Sequence, residues 1–120
     1  MIIKFNDNTE LEVIKVQNRQ AYIQNANREV YDFHFDPSLI TFEQLEGIFG
    51  DEQKTKKIYL INGDDTFLHE DYSIRISLSY QPVEITPETP DAPAQSENRF
   101  IVSMARKTYM EKIISQLLGQ

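Results

Sequence analysis

The chain has 120 residues, 40% of them apolar and 26% charged, with a formal net charge of -7 and no cysteine. That length and balance fit one soluble globular domain with a modest core plus an appendage, and they exclude a fibrous or wholly disordered protein. The lack of cysteine removes disulfides, thiolate metal sites and cysteine nucleophiles together, and no apolar run approaches the length that spans a bilayer.

The start, MIIKFNDNTE, has no basic leader followed by a long apolar run, so the expectation is a protein made without a Sec signal. Within it, Ile3 and Phe5 alternate with polar residues, Asn6-Asp7-Asn8-Thr9 supplies turn chemistry, and Leu11 and Val13 resume the alternation, which predicts a hairpin. The apolar phase then shifts to Ile14 and Val16, the mark of a β-bulge or of a strand crossing from one face to another. Strand character returns in AYIQ, around Tyr22 and Ile23, and in REVYDFHFD, where Tyr31, Phe33 and Phe35 share one face and Asp32 and His34 the other.

Thr41 with Gln44 makes a capping box, Ile40 with Leu45 a hydrophobic staple, and Gly50 a terminator, so a short helix is expected between them. Its Phe42, Leu45 and Phe49 share a face that would plug an end or face of the sheet. TKKIYLIN, the acidic turn NGDD and the return through Phe67 and Leu68 predict a second hairpin. In the next strand Ile74, Ile76, Leu78 and Tyr80 alternate with Arg75, Ser77 and Ser79, until the phase slips at Pro82 to Val83 and Ile85. Proline cannot donate to a ladder, so this strand should run at an edge or leave the sheet there.

The stretch PVEITPETPDAPAQSENRF holds four of the five prolines. Residues Thr86 to Asn98 therefore read as an extended acidic tether with a reach on the order of 40 Å. Beyond it, Val102, Ala105, Tyr109, Ile113 and Leu117 fall at helical spacing, Met110, Ile114 and Leu118 widen the stripe, and Gly119 ends it. Arg106, Lys107, Glu111, Lys112 and Gln116 lie opposite. An isolated helix of about five turns is marginal in water, so its stripe should be covered by the body, a second copy, a partner's groove or a membrane surface. The expected organisation is α+β and mainly β: a β-rich head over residues 1–85, with a small antiparallel sheet or barrel and one short packed helix, a Pro-rich linker over 86–98, and an amphipathic interaction helix over 99–120.

Charge is split along the same line. Residues 1–98 carry 8 Lys+Arg against 18 Asp+Glu, a net -10, whereas 99–120 carry Arg99, Arg106, Lys107 and Lys112 against Glu111, a net +3. An acidic body repels phosphate, so nucleic acid is not an expected partner, and four basic residues without tryptophan give a membrane surface little to hold.

Chemical constellations are sparse. His34 with Asp36 and His69 with Glu70 and Asp71 form two half-sites of a His/carboxylate metal centre, but their positions on a polar strand face and in a turn read as solvated side chains. Asn62, Asp64, Asp65 and Glu70 lack the spacing and central glycine of a calcium loop. Four scattered glycines leave no phosphate cradle, and no serine stands in a nucleophile elbow. Lys54, Lys56 and Lys57 in QKTKK read as a solvated edge. No catalytic residue, cofactor or metal is expected.

Three segments, IIKFNDNTELEV, HEDYSIRISLSYQPVEITPETP and SMARKTYMEKIISQLL, together resemble a group of small proteins encoded in the tail-gene clusters of phages and prophages of Gram-positive bacteria. That resemblance implies a β-rich head, a Pro/Thr-rich spacer and a terminal helix in a non-enzymatic virion or tail-assembly component. It would bind other tail proteins or copies of itself, in the virion or in the bacterial host cytoplasm, and the resemblance carries over no functional residues. Similar proteins continue into a longer terminal coiled coil, which argues against strong self-association by the shorter helix here. The alternative expectation is a small acidic phage-encoded inhibitor that presents Asp64, Asp65, Glu70 and Asp71 to a host protein.

Overall fold

In the computed structural model, which describes residues 1–118, the turn-flanked apolar runs become eight strands and three helices. Strands β1 (Ile2–Lys4) and β2 (Glu10–Glu12) form the first hairpin; Asn8 takes a left-handed φ of 70° in its turn, and the Thr9 amide donates to Asp7 Oδ1 at 3.0 Å. The phase shift that follows is a crossing between sheets. Val13 still donates its amide to Met1 O at 2.9 Å, whereas Ile14 donates to His34 O at 2.8 Å. Strands β3 (Lys15–Ile23) and β4 (Ala26–Phe35) join through Gln24 and Asn25, both at positive φ, as a two-residue type I′ turn requires.

Helices α1 (Phe42–Phe49) and α2 (Glu52–Thr55) come next, followed by β5 (Lys57–Asn62), β6 (Asp65–Glu70), β7 (Ile74–Thr86), β8 (Gln95–Ala105) and α3 (Tyr109–Leu117). The fold is α+β and mainly β, with two antiparallel four-stranded sheets ordered β2-β1-β5-β6 and β3-β4-β8-β7. Among the described residues no ladder joins the sheets, so they face each other as layers and do not close into a barrel. Ile3, Ile58 and Leu60 from one layer meet Phe33, Phe35, Val102 and Met104 from the other.

Helix α1 fills the space between them. Its capping box forms as expected, with Thr41 Oγ1 accepting from the Gln44 amide at 3.2 Å and Gln44 Oε1 accepting from the Thr41 amide at 2.9 Å. Ile40, Leu45 and Phe49 are buried, while Phe42 stays at the surface. The Phe49 ring lies 5.1 Å from Phe5 and 5.7 Å from both Phe33 and Phe35, centroid to centroid.

The largest departure from expectation concerns the linker and the helix after it. Residues 95–105 are not tether and helix but β8, paired to β7 from Thr86↔Gln95 to Ile74↔Ala105 and to β4 from Phe35↔Phe100 to Val30↔Ala105. Three of the prolines are confined to the loop of residues 87–94, where Thr89 and Ala92 bond reciprocally, and Pro82 sits on β7, an edge strand. The head-linker-helix boundaries at 85 and 98 thus fall inside one hairpin. Val102 and Ala105 are fully buried strand residues, and α3 has nine residues in place of five turns. Phe100, Val102 and Met104 alternate with period two, a pattern masked by the three-residue step from Val102 to Ala105. Gly119 lies outside the described residues. In β7 a register shift between Arg75 and Ser77 takes Ile76 out of the alternation, after which Leu78 pairs with Val102 and Tyr80 with Phe100.

Register also sets the shape. The β3–β4 tip overhangs the Val30/Ala105 end of its sheet and the β7–β8 tip overhangs the Phe35/Phe100 end, so the molecule measures 60 × 31 × 29 Å. Because Phe49 packs against both layers, Phe49→Ala should lower unfolding free energy by about 3–5 kcal/mol in urea titration. Leu117→Ala, on an exposed helix face, should change it by no more than about 0.5 kcal/mol.

Candidate functional site

Helix α3 is set up by its first turn. Thr108 Oγ1 accepts from the Glu111 amide at 3.2 Å and Glu111 Oε1 accepts from the Thr108 amide at 2.8 Å, a second capping box. Thr-x-x-Glu was visible in the sequence as the true helix start, but a stripe drawn from Val102 runs straight through it. Glu111 has a second task. Its carboxylate receives the Arg28 guanidinium at 2.5 and 2.9 Å, and the same guanidinium donates to the carbonyls of Ile23 at 2.7 Å, Gln24 at 3.3 Å and Arg106 at 3.0 Å. Arg28 lies on β4 beyond the last pair with β8, so this buried cation ties the β3–β4 tip, the end of β8 and α3 together. Lys112 adds a contact to Asp71 at 2.9 Å, and Lys107 pairs with Glu52 while its amide donates to Asp71 O at 2.9 Å.

The body therefore holds α3 by its polar side. Tyr109, Met110, Ile114, Leu117 and Leu118 are exposed, Leu117 at 81% and Tyr109 at 73%, and Ile113 is half-buried. Of the expected interaction residues, Val102 and Ala105 lie in the sheet, while Tyr109, Met110, Ile113, Ile114, Leu117 and Leu118 share a helical stripe. The body covers Ile113 in part and leaves the rest of that stripe exposed.

A second polar cluster lies on the outer face of the β3-β4-β8-β7 sheet, around a shallow trough of about 380 Å³. Asp32 accepts from Arg19 Nε at 2.9 Å and from Ser103 Oγ at 2.5 Å. Arg99 Nη1 sits 3.3 Å from His34 Nδ1, and Arg99 Nε donates to Glu97 at 2.7 Å. An arginine can only donate, so His34 accepts through Nδ1 and is neutral with its proton on Nε2. Burial first, then Arg99 and Lys15, push its pKa down. Ser103 points its hydroxyl at Asp32 and His34 Nδ1 faces Arg99, so these two side chains do not form a serine–histidine pair.

Both histidines depart from the solvated positions expected of them. His34 is 4% exposed, and His69, in the other sheet, stacks edge-on against Tyr31 at 4.6 Å and Tyr72 at 5.8 Å with its pKa lowered by burial. The two half-sites do not meet: Asp36 spends a carboxylate oxygen on the Ser38 amide and hydroxyl, and Asp71 is taken by Lys112. Among the described residues no group of three or more His, Cys, Asp or Glu is placed to hold a metal ion. Asp64 lies in the β5–β6 turn and Asp65 begins β6, while Glu70 and Asp71 lie at the far end of that strand, about 17 Å away, so these residues form neither a calcium site nor one acidic patch. No helix among the described residues is long and apolar enough to cross a membrane.

Comparison with protein-family models, with curated proteins and with solved structures returned no match.

The bond to Arg28 draws the Glu111 pKa down from 4.5 to about 2 against the opposing effect of burial, with the Thr108 amide and hydroxyl helping. Its contribution to stability is complete above pH 4.5 and is lost as pH falls through about 2. Titration of the Glu111 side-chain carboxyl by NMR should thus show a midpoint near 2 in the native chain, moving back toward 4.5 in Arg28→Met. A native midpoint at 4.5 would mean that the clamp is open in solution.

Proposed function

We propose that this chain is a non-enzymatic assembly protein, a component of a phage tail or baseplate, that docks on other proteins through the apolar stripe of α3. The observation that supports docking is the exposure of Tyr109, Met110, Ile114, Leu117 and Leu118 on a helix whose polar side is held by Arg28 and Asp71. The tail or baseplate setting comes from the resemblance of the three segments named above, and with it a location in the virion or the host cytoplasm. No cofactor takes part.

The mechanism is pre-organisation. An isolated helix of nine residues is unstable in water, and a partner would have to supply its ordering cost on binding. Here the Thr108 capping box and the Arg28–Glu111 clamp order the helix in advance, so the partner meets a formed apolar surface. This replaces capture by a flexible tether, because the expected tether is part of a hairpin. An acidic inhibitor would need carboxylates converging on one surface; those of β6 are divided between its two ends.

Ile114→Asp with Leu117→Asp should leave the fold intact, since both side chains are exposed. In particles purified from the phage that encodes the chain, quantitative mass spectrometry should find the native protein and at least a tenfold depletion of this variant. Absence of the native chain from particles and their assembly intermediates would overturn the tail assignment. Undiminished incorporation of the variant would overturn docking through α3.

A further inference from the structure

The β3-β4-β8-β7 sheet carries a second exposed apolar surface, at the end away from α3. Phe100, at the Phe35/Tyr80 end of β8, is flanked by the rings of Tyr80 at 5.4 Å and Phe42 at 6.3 Å. Phe100 itself is nearly covered, but Tyr80 is 57% exposed and Phe42 40%. The three rings make a row between the start of α1 and the edge strand β7. Glu111 of α3 is held by Arg28, beyond the Val30/Ala105 end of the same sheet, so the ring row and the helix stripe are separated along the molecule by at least the five residues from Phe100 to Ala105, about 17 Å.

We propose that the occupant of the α3 stripe is the ring row of a second copy of this chain, giving a head-to-tail assembly. This deepens the docking role given to α3 above and rests on it. Two observations select that pairing over a symmetric one. The ring-row end stays acidic after its one ion pair is counted: Arg99 holds Glu97, while Glu84, Glu88 and Asp91 of residues 82–98 and Glu43 and Glu46 of α1 remain. Two such ends facing each other repel. The α3 end carries Arg106, Lys107 and Lys112; Lys107 and Lys112 are held by Glu52 and Asp71, so they act by cancelling acid there and leave that end the less acidic of the two. Pairing of α3 with α3 would rest on nine residues, little more than one heptad, which is too short a seam for a coiled coil. A contact between different patches is heterologous, so copies add in one direction until a ring closes or a filament grows.

Mixing two folded variants tests this. Ile114→Asp/Leu117→Asp removes the helix stripe and keeps the rings; Tyr80→Asp spoils the rings and keeps the stripe, with Phe42→Ser as a second ring variant should Tyr80→Asp unfold. Light scattering on the native chain, over concentrations up to about 1 mM because contacts of this size bind weakly, should show a mass that climbs past two chains. Each variant alone should stay at one chain's mass, and an equimolar mixture should reach twice that mass and stop. A native chain that stays monomeric throughout overturns the head-to-tail contact and leaves docking on a different protein standing. Association of the ring variant alone overturns it in favour of helix-to-helix pairing. Association of the native chain that the helix variant retains places the contact on another surface, which overturns the head-to-tail pairing and leaves docking of α3 on a different protein to the incorporation test above.

Discussion

Strand β8 is paired along both sides over Phe100 to Ala105, and most of the molecule depends on that double ladder. It joins two hairpins, β3–β4 and β7–β8, into one sheet. Its inward residues Phe100, Val102 and Met104 supply much of the core facing α1 and the other sheet. Its last residues then set the point from which α3 departs. A strand hydrogen-bonded on both sides cannot slip by one residue without turning its apolar face to water, so the position of α3 follows from the register of β8.

Arg28 converts that position into an orientation. A buried guanidinium is costly unless its donors are satisfied, and here three carbonyls and one carboxylate satisfy them. Glu111 serves as capping residue and counter-ion at once, so one side chain links the helix start to the ionic clamp. Consequently the polar side of α3 is engaged by the body, and most of its apolar side stays exposed.

Much of the fold was legible from local chemistry. The Asn6–Thr9 turn, the Thr41–Gln44 capping box, the Gly63 turn and the edge placement implied by Pro82 each depend on neighbours within a few residues, and each is found where the pattern puts it. The tail was misread for a physical reason. Val102, Ala105 and Tyr109 satisfy a helical step, while Phe100, Val102 and Met104 satisfy a strand step, and the choice between them is made by β4, some 70 residues earlier in the chain. Proline content misled in the same way: Pro87, Pro90 and Pro93 crowd into a hairpin loop, which looks in one dimension like a linker. His34 read as solvated because alternation places it opposite Phe33 and Phe35, yet Arg99 and Lys15 converge on it from the neighbouring strands.

The sequence by itself determined the class of the protein, the turns at Asn6–Thr9 and Asn62–Asp65, the first helix and the amphipathic character of residues 109–118, because these follow from backbone preference and apolar spacing over a few residues. Tertiary structure alone decided that β8 is a central strand, that Arg28 clamps Glu111, and that the stripe of α3 faces outward while a ring row lies at the other end. Those outcomes depend on which strands pair and in which register, and pairing is settled by the burial of side chains far apart in the chain.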